Sequence, residues 1–127
     1  MKRNILRLSV LLLCCITLAS CTDKLAQAAY VTIVGAKAAT DKAKAQHPEC
    51  TATPTANACV IIAKAISAKD SLIDAVEIYC AGPDFDAGKG CNTPTKGTPA
   101  AAQAISKLNA ALAVWTQAAT DLKGAIQ

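Results

Sequence analysis

The sequence predicts an all-α protein, an up-down-up three-helix bundle with two loop-closing disulfides. Three segments carry apolar residues at alternating spacings of three and four, the period of an amphipathic helix. Loops rich in Thr, Pro and Gly separate these segments, and no alternating strand pattern competes with them. Cysteines flank both loops, as expected for an exported chain in which disulfides supplement a small core.

The first 20 residues predict a secretory signal peptide. Lys2, Arg3 and Arg7 form a cationic start, and an uncharged apolar run covers 8–18. The 14 residues from Leu8 to Cys21 would cover only ~21 Å as a helix, too short for a bilayer core of ~30 Å.

Leu18-Ala19-Ser20-Cys21 resembles the lipobox of bacterial prolipoproteins. The resemblance implies cleavage before Cys21, a diacylglycerol thioether on its sulfur and an acyl chain such as palmitate on its new amine. Thr22 follows the cysteine, which by resemblance to enteric lipoproteins implies the outer membrane, facing the periplasm. The predicted domains are a signal peptide, 1–20, and one lipid-anchored helical domain, 21–127. Residues 22–127 resemble no functional family.

The charge of the mature chain argues against nucleic-acid binding. Removing 20 of 127 residues leaves 107, with 10 Lys and no Arg against 9 Asp and Glu. A nucleic-acid surface needs clustered cations, which this near-neutral chain lacks. Alanine dominates the apolar residues and buries little area, so the core needs covalent support.

Helix 1 is predicted over 23–46, with Thr22 or Asp23 as N-cap and Pro48 ending it. Its predicted core stripe is Leu25, Ala29, Thr32, Ala36, Ala39 and Ala43. Tyr30, Val31 and Val34 lie off this stripe. We expect these three residues to pack on a neighbouring helix of the chain, the alternatives being an oligomer contact or a membrane-surface contact.

Helix 2 is predicted over 56–80, between the Thr53-Pro54-Thr55 start and the Gly82-Pro83 stop. It has two adjacent apolar rows and therefore needs two partner helices. The rows are Ile61, Ala65, Ala68, Leu72, Ala75 and Tyr79, and Ile62, Ile66, Ile73 and Val76.

Helix 3 is predicted over 99–126, with Thr98 as its cap and Pro99 at its first position. Its predicted seam is Ala101, Ile105, Leu108, Leu112, Trp115, Ala119, Leu122 and Ile126. Trp115 is therefore expected in the core.

Four cysteines remain after Cys14, Cys15 and Cys21 are set aside, and helix geometry selects their pairing. Positions 59 and 80 stand at opposite ends of helix 2, about 31 Å apart, whereas a disulfide needs Cα atoms within ~7 Å. In an up-down-up bundle this leaves the pairs Cys50–Cys59 and Cys80–Cys91, each closing one inter-helix loop.

The other candidate sites are explained without a ligand or a reaction. A metal site of His47, Cys50 and Cys59 lacks the short CxxC spacing of zinc sites. The segment 84–88 (DFDAG) resembles the start of a calcium loop, but the sequence departs from that pattern at Gly88, Lys89 and Thr95. Lys69 is expected to lay its stem along the bundle with its amine in solvent. No metal or cofactor is therefore predicted.

Catalysis is not predicted either. His47 is the only histidine, and no nucleophile, base or paired carboxylate set can be assembled around it. Beside Pro48 at a helix end, it is expected to satisfy the last carbonyls of helix 1.

The sequence thus predicts a non-catalytic envelope lipoprotein held by acylated Cys21, acting as a structural or protein-interaction module. Helix 1 would start at the bilayer. The loop after it would be distal and the likeliest place for an envelope protein partner, while the 81–98 loop, with Phe85, Lys89 and Lys96, would lie near the headgroups. The predicted contact residues are His47, Glu49, Thr51 and Thr53. The alternatives are a phage- or plasmid-encoded exclusion lipoprotein, and an apolar-ligand carrier with a cavity lined by Ile62, Ile66 and Leu112.

Overall fold

The computed structural model describes residues 24–80, 91, 93 and 97–126, and this part of the chain is an all-helical three-helix bundle without strands. Helix α1 is Lys24–Gln46, α2 is Asn57–Cys80 and α3 is Pro99–Ala125, and a 3-10 helix, Pro48–Thr51, follows α1. Each α-helix begins and ends within one residue of the predicted position. The signal peptide, Cys21, both candidate N-caps of α1 and the 84–88 segment lie outside the described residues.

Helix α2 packs on both other helices. It has nine buried residues, more than α1 or α3, and Leu72 is completely buried. The predicted first row is buried from Ala65 to Tyr79, while Ile61 is only partly buried. Of the second row, Ile62 and Val76 are buried, and Ile66 and Ile73 pack partly against the core. The prediction that helix 2 needs two partners is confirmed.

The buried stripe of α1 differs from the prediction. Ile33 and Thr40 are completely buried, whereas the predicted Thr32 and Ala39 are only partly buried. Both stripes contain Ala29, Ala36 and Ala43. Between these alanines the structure buries the residue that follows the predicted one. Burying Ile33 instead of Thr32 removes a larger apolar side chain from water. Thr40 is tolerated there because its Oγ1 donates to the Ala36 carbonyl oxygen at 2.9 Å.

The expectation that Tyr30, Val31 and Val34 pack on a neighbouring helix is wrong. Their exposed fractions are 38%, 64% and 50%. Because the α1 stripe is centred on Ile33 and Ala36, the neighbouring positions turn away from the core.

Helix α3 begins as predicted. Gly97 has φ +82°, a conformation that glycine adopts without strain, and the Thr98 Oγ1 then accepts from the Ala101 amide at 3.2 Å. Pro99 occupies the first turn, where its missing N–H costs nothing.

The predicted seam of α3 is confirmed except at Ile105, since Leu112, Ala119 and Ile126 also pack partly against the core. Ala101, Leu108, Trp115 and Leu122 are buried, but Ile105 is 39% exposed and Ala104 is buried instead. Either Ala104 or Ile105 continues the apolar spacing between Ala101 and Leu108, because alanines stand next to the larger residues of this helix.

Both predicted disulfides are present. The Cα atoms are 5.2 Å apart in Cys50–Cys59 and 4.4 Å apart in Cys80–Cys91. Cys59 lies in the first turn of α2 and Cys80 is its last residue, so both ends of this helix are cross-linked to a flanking loop. In the chain-entropy model, loops this short contribute about 2.5–3 kcal/mol each.

The position of α3 can be tested with two truncations. Leu108→Ala removes a completely buried side chain and should lower the free energy of unfolding by about 2–5 kcal/mol. Ile105→Ala removes an exposed side chain and should cost less than about 1 kcal/mol. Denaturant unfolding of the oxidised protein measures both. Equal costs would return Ile105 to the predicted seam and contradict its observed exposure.

Candidate functional site

The loop of residues 47–57 connects α1 to α2 and holds all four predicted contact residues. The Glu49 carbonyl oxygen accepts from the amides of Ala52 and Thr53 at 3.0 and 2.9 Å, and from the Thr53 Oγ1 at 3.0 Å. Cys50 is tied to α2 by its disulfide. The 47–57 loop is therefore held by its own hydrogen bonds and by a covalent link.

His47 and Glu49 form a close side-chain pair at the start of this loop. The His47 Nδ1 lies 2.7 Å from the Glu49 Oε1. The hydrogen bond from His47 is the main cause that lowers the pKa of the Glu49 carboxyl below its ordinary value. The expectation for the His47 side chain is therefore corrected: its ring contacts Glu49, while its backbone amide bonds the Ala43 carbonyl at 3.1 Å.

The predicted contact residues differ in their surroundings. Glu49, Thr51 and Thr53 are exposed and His47 is half-buried. His47 and Thr51 both line a cleft between the loop and the two helices, and neither Glu49 nor Thr53 does.

The cleft beside the loop has a volume of about 370 Å³. Its lining is mostly apolar, with Lys44 and His47 as its basic residues, so it suits an apolar side chain that carries a polar or acidic neighbour. The lining residues are Lys44, His47, Pro48, Cys50, Thr51, Pro54, Cys59, Ile62, Ala63 and Ile66. Sequence reasoning found the loop but missed the contribution of α2 to this cleft, although Ile62 and Ile66 form part of one predicted row.

A second cleft, of about 440 Å³, lies between α2 and α3. Its rim is polar, and on α3 the Gln117 Nε2 donates to the Asp121 Oδ1 at 2.9 Å. The lining residues are Ile61, Lys64, Ser67, Ala68, Ser71, Val114, Gln117, Ala118 and Asp121. The sequence offered no signal for it, because Lys64, Ser67 and Ser71 are typical of a solvent face. Leu112 lines neither cleft. Neither cleft is therefore the cavity of Ile62, Ile66 and Leu112 that the apolar-ligand carrier would require.

One group of side chains has the composition of a metal site. A carboxylate oxygen of Glu49 and the sulfurs of Cys50 and Cys59 lie within 4.8 Å of one another. Cysteine binds metals as the thiolate, and both sulfurs are in the disulfide bond. Only the chain with this disulfide reduced could offer these three ligands. The His47 ring contacts the Glu49 carboxylate of the group.

Two other residues singled out in the sequence lie outside the loop. The Lys69 side chain is 16% exposed, and its Nζ is 2.9 Å from the Asp70 Oδ1. Trp115 is buried on α3, as predicted for a core residue. Among the helices that the structure describes, none has the length and apolarity needed to cross a membrane.

No protein-family model, curated protein or solved structure matches the chain. The site must therefore be interpreted from its own residues.

The His47–Glu49 pair makes a prediction about pH. In an NMR titration the Glu49 carboxyl should titrate below its ordinary pKa, and His47→Ala should raise it towards that value. The stabilising effect of the pair is present above the ordinary pKa of Glu49 and is lost as the pH falls through the lowered one.

Lys44→Ala is the matched control, because it removes a cation that lines the same cleft without touching the hydrogen bond. If Lys44→Ala raises the Glu49 pKa as much as His47→Ala does, general electrostatics and not the hydrogen bond lowers it.

Proposed function

We propose that this chain is a lipid-anchored, non-catalytic lipoprotein of the bacterial cell envelope. Acylated Cys21 holds it in the outer membrane, facing the periplasm, and it acts through protein contact at the 47–57 loop. The lipobox-like Leu18-Ala19-Ser20-Cys21 supports the anchor. The two disulfides support an oxidising compartment such as the periplasm.

The topology in this proposal is up-down-up. The Cys50–Cys59 bond brings the end of α1 and the start of α2 together, and α2 packs along both other helices. Helix α1 has 23 residues, which span about 34 Å. The 47–57 loop then lies at the end of the bundle farthest from Cys21, where a partner in the periplasm can reach it.

The observation that carries the contact role is the rigid, exposed build of the 47–57 loop. The loop is cross-linked to α2, its Glu49 carbonyl accepts three hydrogen bonds, and a cleft opens beside it. A surface that is ordered before binding loses little conformational entropy when a partner docks, which favours affinity.

The anchor is tested by mass spectrometry of the mature N-terminus. Residue 21 should be the first residue and should carry the added mass of a diacylglycerol and an acyl chain. Cys21→Ala should abolish this adduct, while Cys15→Ala, which changes only the signal peptide, should leave it intact. A native protein that is soluble, with a free thiol at Cys21, would refute the anchor.

The contact role is tested by photo-crosslinking in intact cells. A photoreactive residue replacing the exposed Thr51 should capture a discrete protein partner, whereas the same residue replacing Thr120, exposed on α3, should not. Failure to capture a partner from Thr51, or equal capture from both positions, would count against the loop as the contact.

A further inference from the structure

Helix α1 has an apolar strip on the side opposite to the core. A rotation of 100° per residue places Val31, Val34 and Ala38 across the helix from the buried Ile33 and Ala36. All three strip residues are exposed. Tyr30 stands at the edge of the strip with an exposed ring. We call Tyr30, Val31, Val34 and Ala38 the α1 strip.

The charges of α1 are mostly positive. The helix contains four Lys and one Asp, whereas α2 contains two Lys against three acidic residues. Lys24 and Lys42 lie on the same side of α1 as the strip, before and after it, and both are exposed. An apolar strip between lysines is the pattern of a helix that lies in the interface of an anionic membrane.

The distance to the anchor is short. Cys21 and Lys24 are three residues apart, so at most ~11 Å of chain separates them. Val31 lies seven residues further along, about 10 Å of helix. Any lipid on the Cys21 sulfur therefore holds Val31 within roughly 20 Å of the bilayer, and Ala38 at the far end of the strip within roughly 30 Å.

We propose that the α1 strip docks on the anionic lipid surface to which Cys21 is attached. This inference rests on the proposed anchor and adds a second, non-covalent membrane contact. The apolar side chains enter the headgroup region and the lysines meet lipid phosphates. The bundle then lies on its α1 side, and the 47–57 loop is held beside the membrane surface, about 30 Å from the anchor along the helix.

Exposure alone does not define this strip. Val114 on α3 is 56% exposed, comparable to Val34, but it lines the cleft between α2 and α3 with Gln117 and Asp121 and has no short tether to Cys21. Val34→Glu and Val114→Glu are therefore matched variants: each places a carboxylate at an exposed valine, and only the first falls on the α1 strip.

The test uses the full mature, acylated protein reconstituted in vesicles that contain phosphatidylglycerol and a phospholipid with a photoreactive headgroup. Peptide mapping after illumination should place lipid adducts on 24–44 and not on the α3 peptide that contains Val114. Val34→Glu should reduce labelling of 24–44 about tenfold, equivalent to ~1.4 kcal/mol lost from the docked orientation. Val114→Glu should leave the labelling of 24–44 unchanged. Labelling of 24–44 in the unsubstituted protein should be lower in pure phosphatidylcholine vesicles.

Three results would overturn the docking proposal while the anchor stands: unlabelled 24–44 in a protein that carries the Cys21 lipid, equal labelling of the Val114 peptide, and crosslinks from 24–44 to a second copy or another protein. A protein without lipid on Cys21 would instead refute the anchor. The same labelling would then test the docking on its own: labelled 24–44 would support it, and unlabelled 24–44 would overturn it. Circular dichroism and intact disulfides in both variants establish that the fold is retained.

Discussion

Burial of α2 between the two other helices is the interaction on which this small structure depends. Alanine supplies eight of the 18 buried apolar residues that the structure describes, and the larger ones include Leu72, Val76, Leu108 and Trp115. Alanine buries little area, so each helix alone gains little from packing. The two disulfides, which restrain α2 at Cys59 and Cys80, offset this weakness by removing freedom from the unfolded chain.

The same covalent restraint supports the proposed contact role of the 47–57 loop. A loop rich in Thr, Pro and Ala would ordinarily lose entropy on binding. Here a 3-10 helix, the Glu49 hydrogen bonds and the disulfide order it beforehand. The His47–Glu49 pair adds a polar feature next to a mainly apolar cleft. Shape and polarity at this end of the bundle are consistent with the proposed recognition role.

The proposed membrane contacts divide the surface into regions with different roles. The lipid on Cys21 would supply the attachment and the α1 strip would set the orientation, since attachment at a single residue does not by itself fix how a bundle is oriented. The 47–57 loop lies at the opposite end of α1 and stays available to a protein partner. Attachment, orientation and recognition would thus use separate residues, so each can be altered without loss of the others.

The amino-acid sequence by itself determined the helical class, the helix bounds and the cysteine pairing. Those depend on local signals: Pro48, the Thr98-Pro99 cap, and the length of helix 2, which keeps positions 59 and 80 apart. The 47–57 loop was also located from its composition, but the cleft beside it was not, because α2 supplies part of its lining.

Only the tertiary structure decided which stripe of α1 is buried and whether α3 buries Ala104 or Ile105. Ile33 replaced Thr32 in the core, Ala104 replaced Ile105, and Tyr30 was left at the surface. In an alanine-rich helix, spacings of three and four select almost equally apolar stripes, so the sequence pattern barely distinguishes two rotations of the helix. The packing of the three helices against one another selects between them, and that information is not local to any one segment.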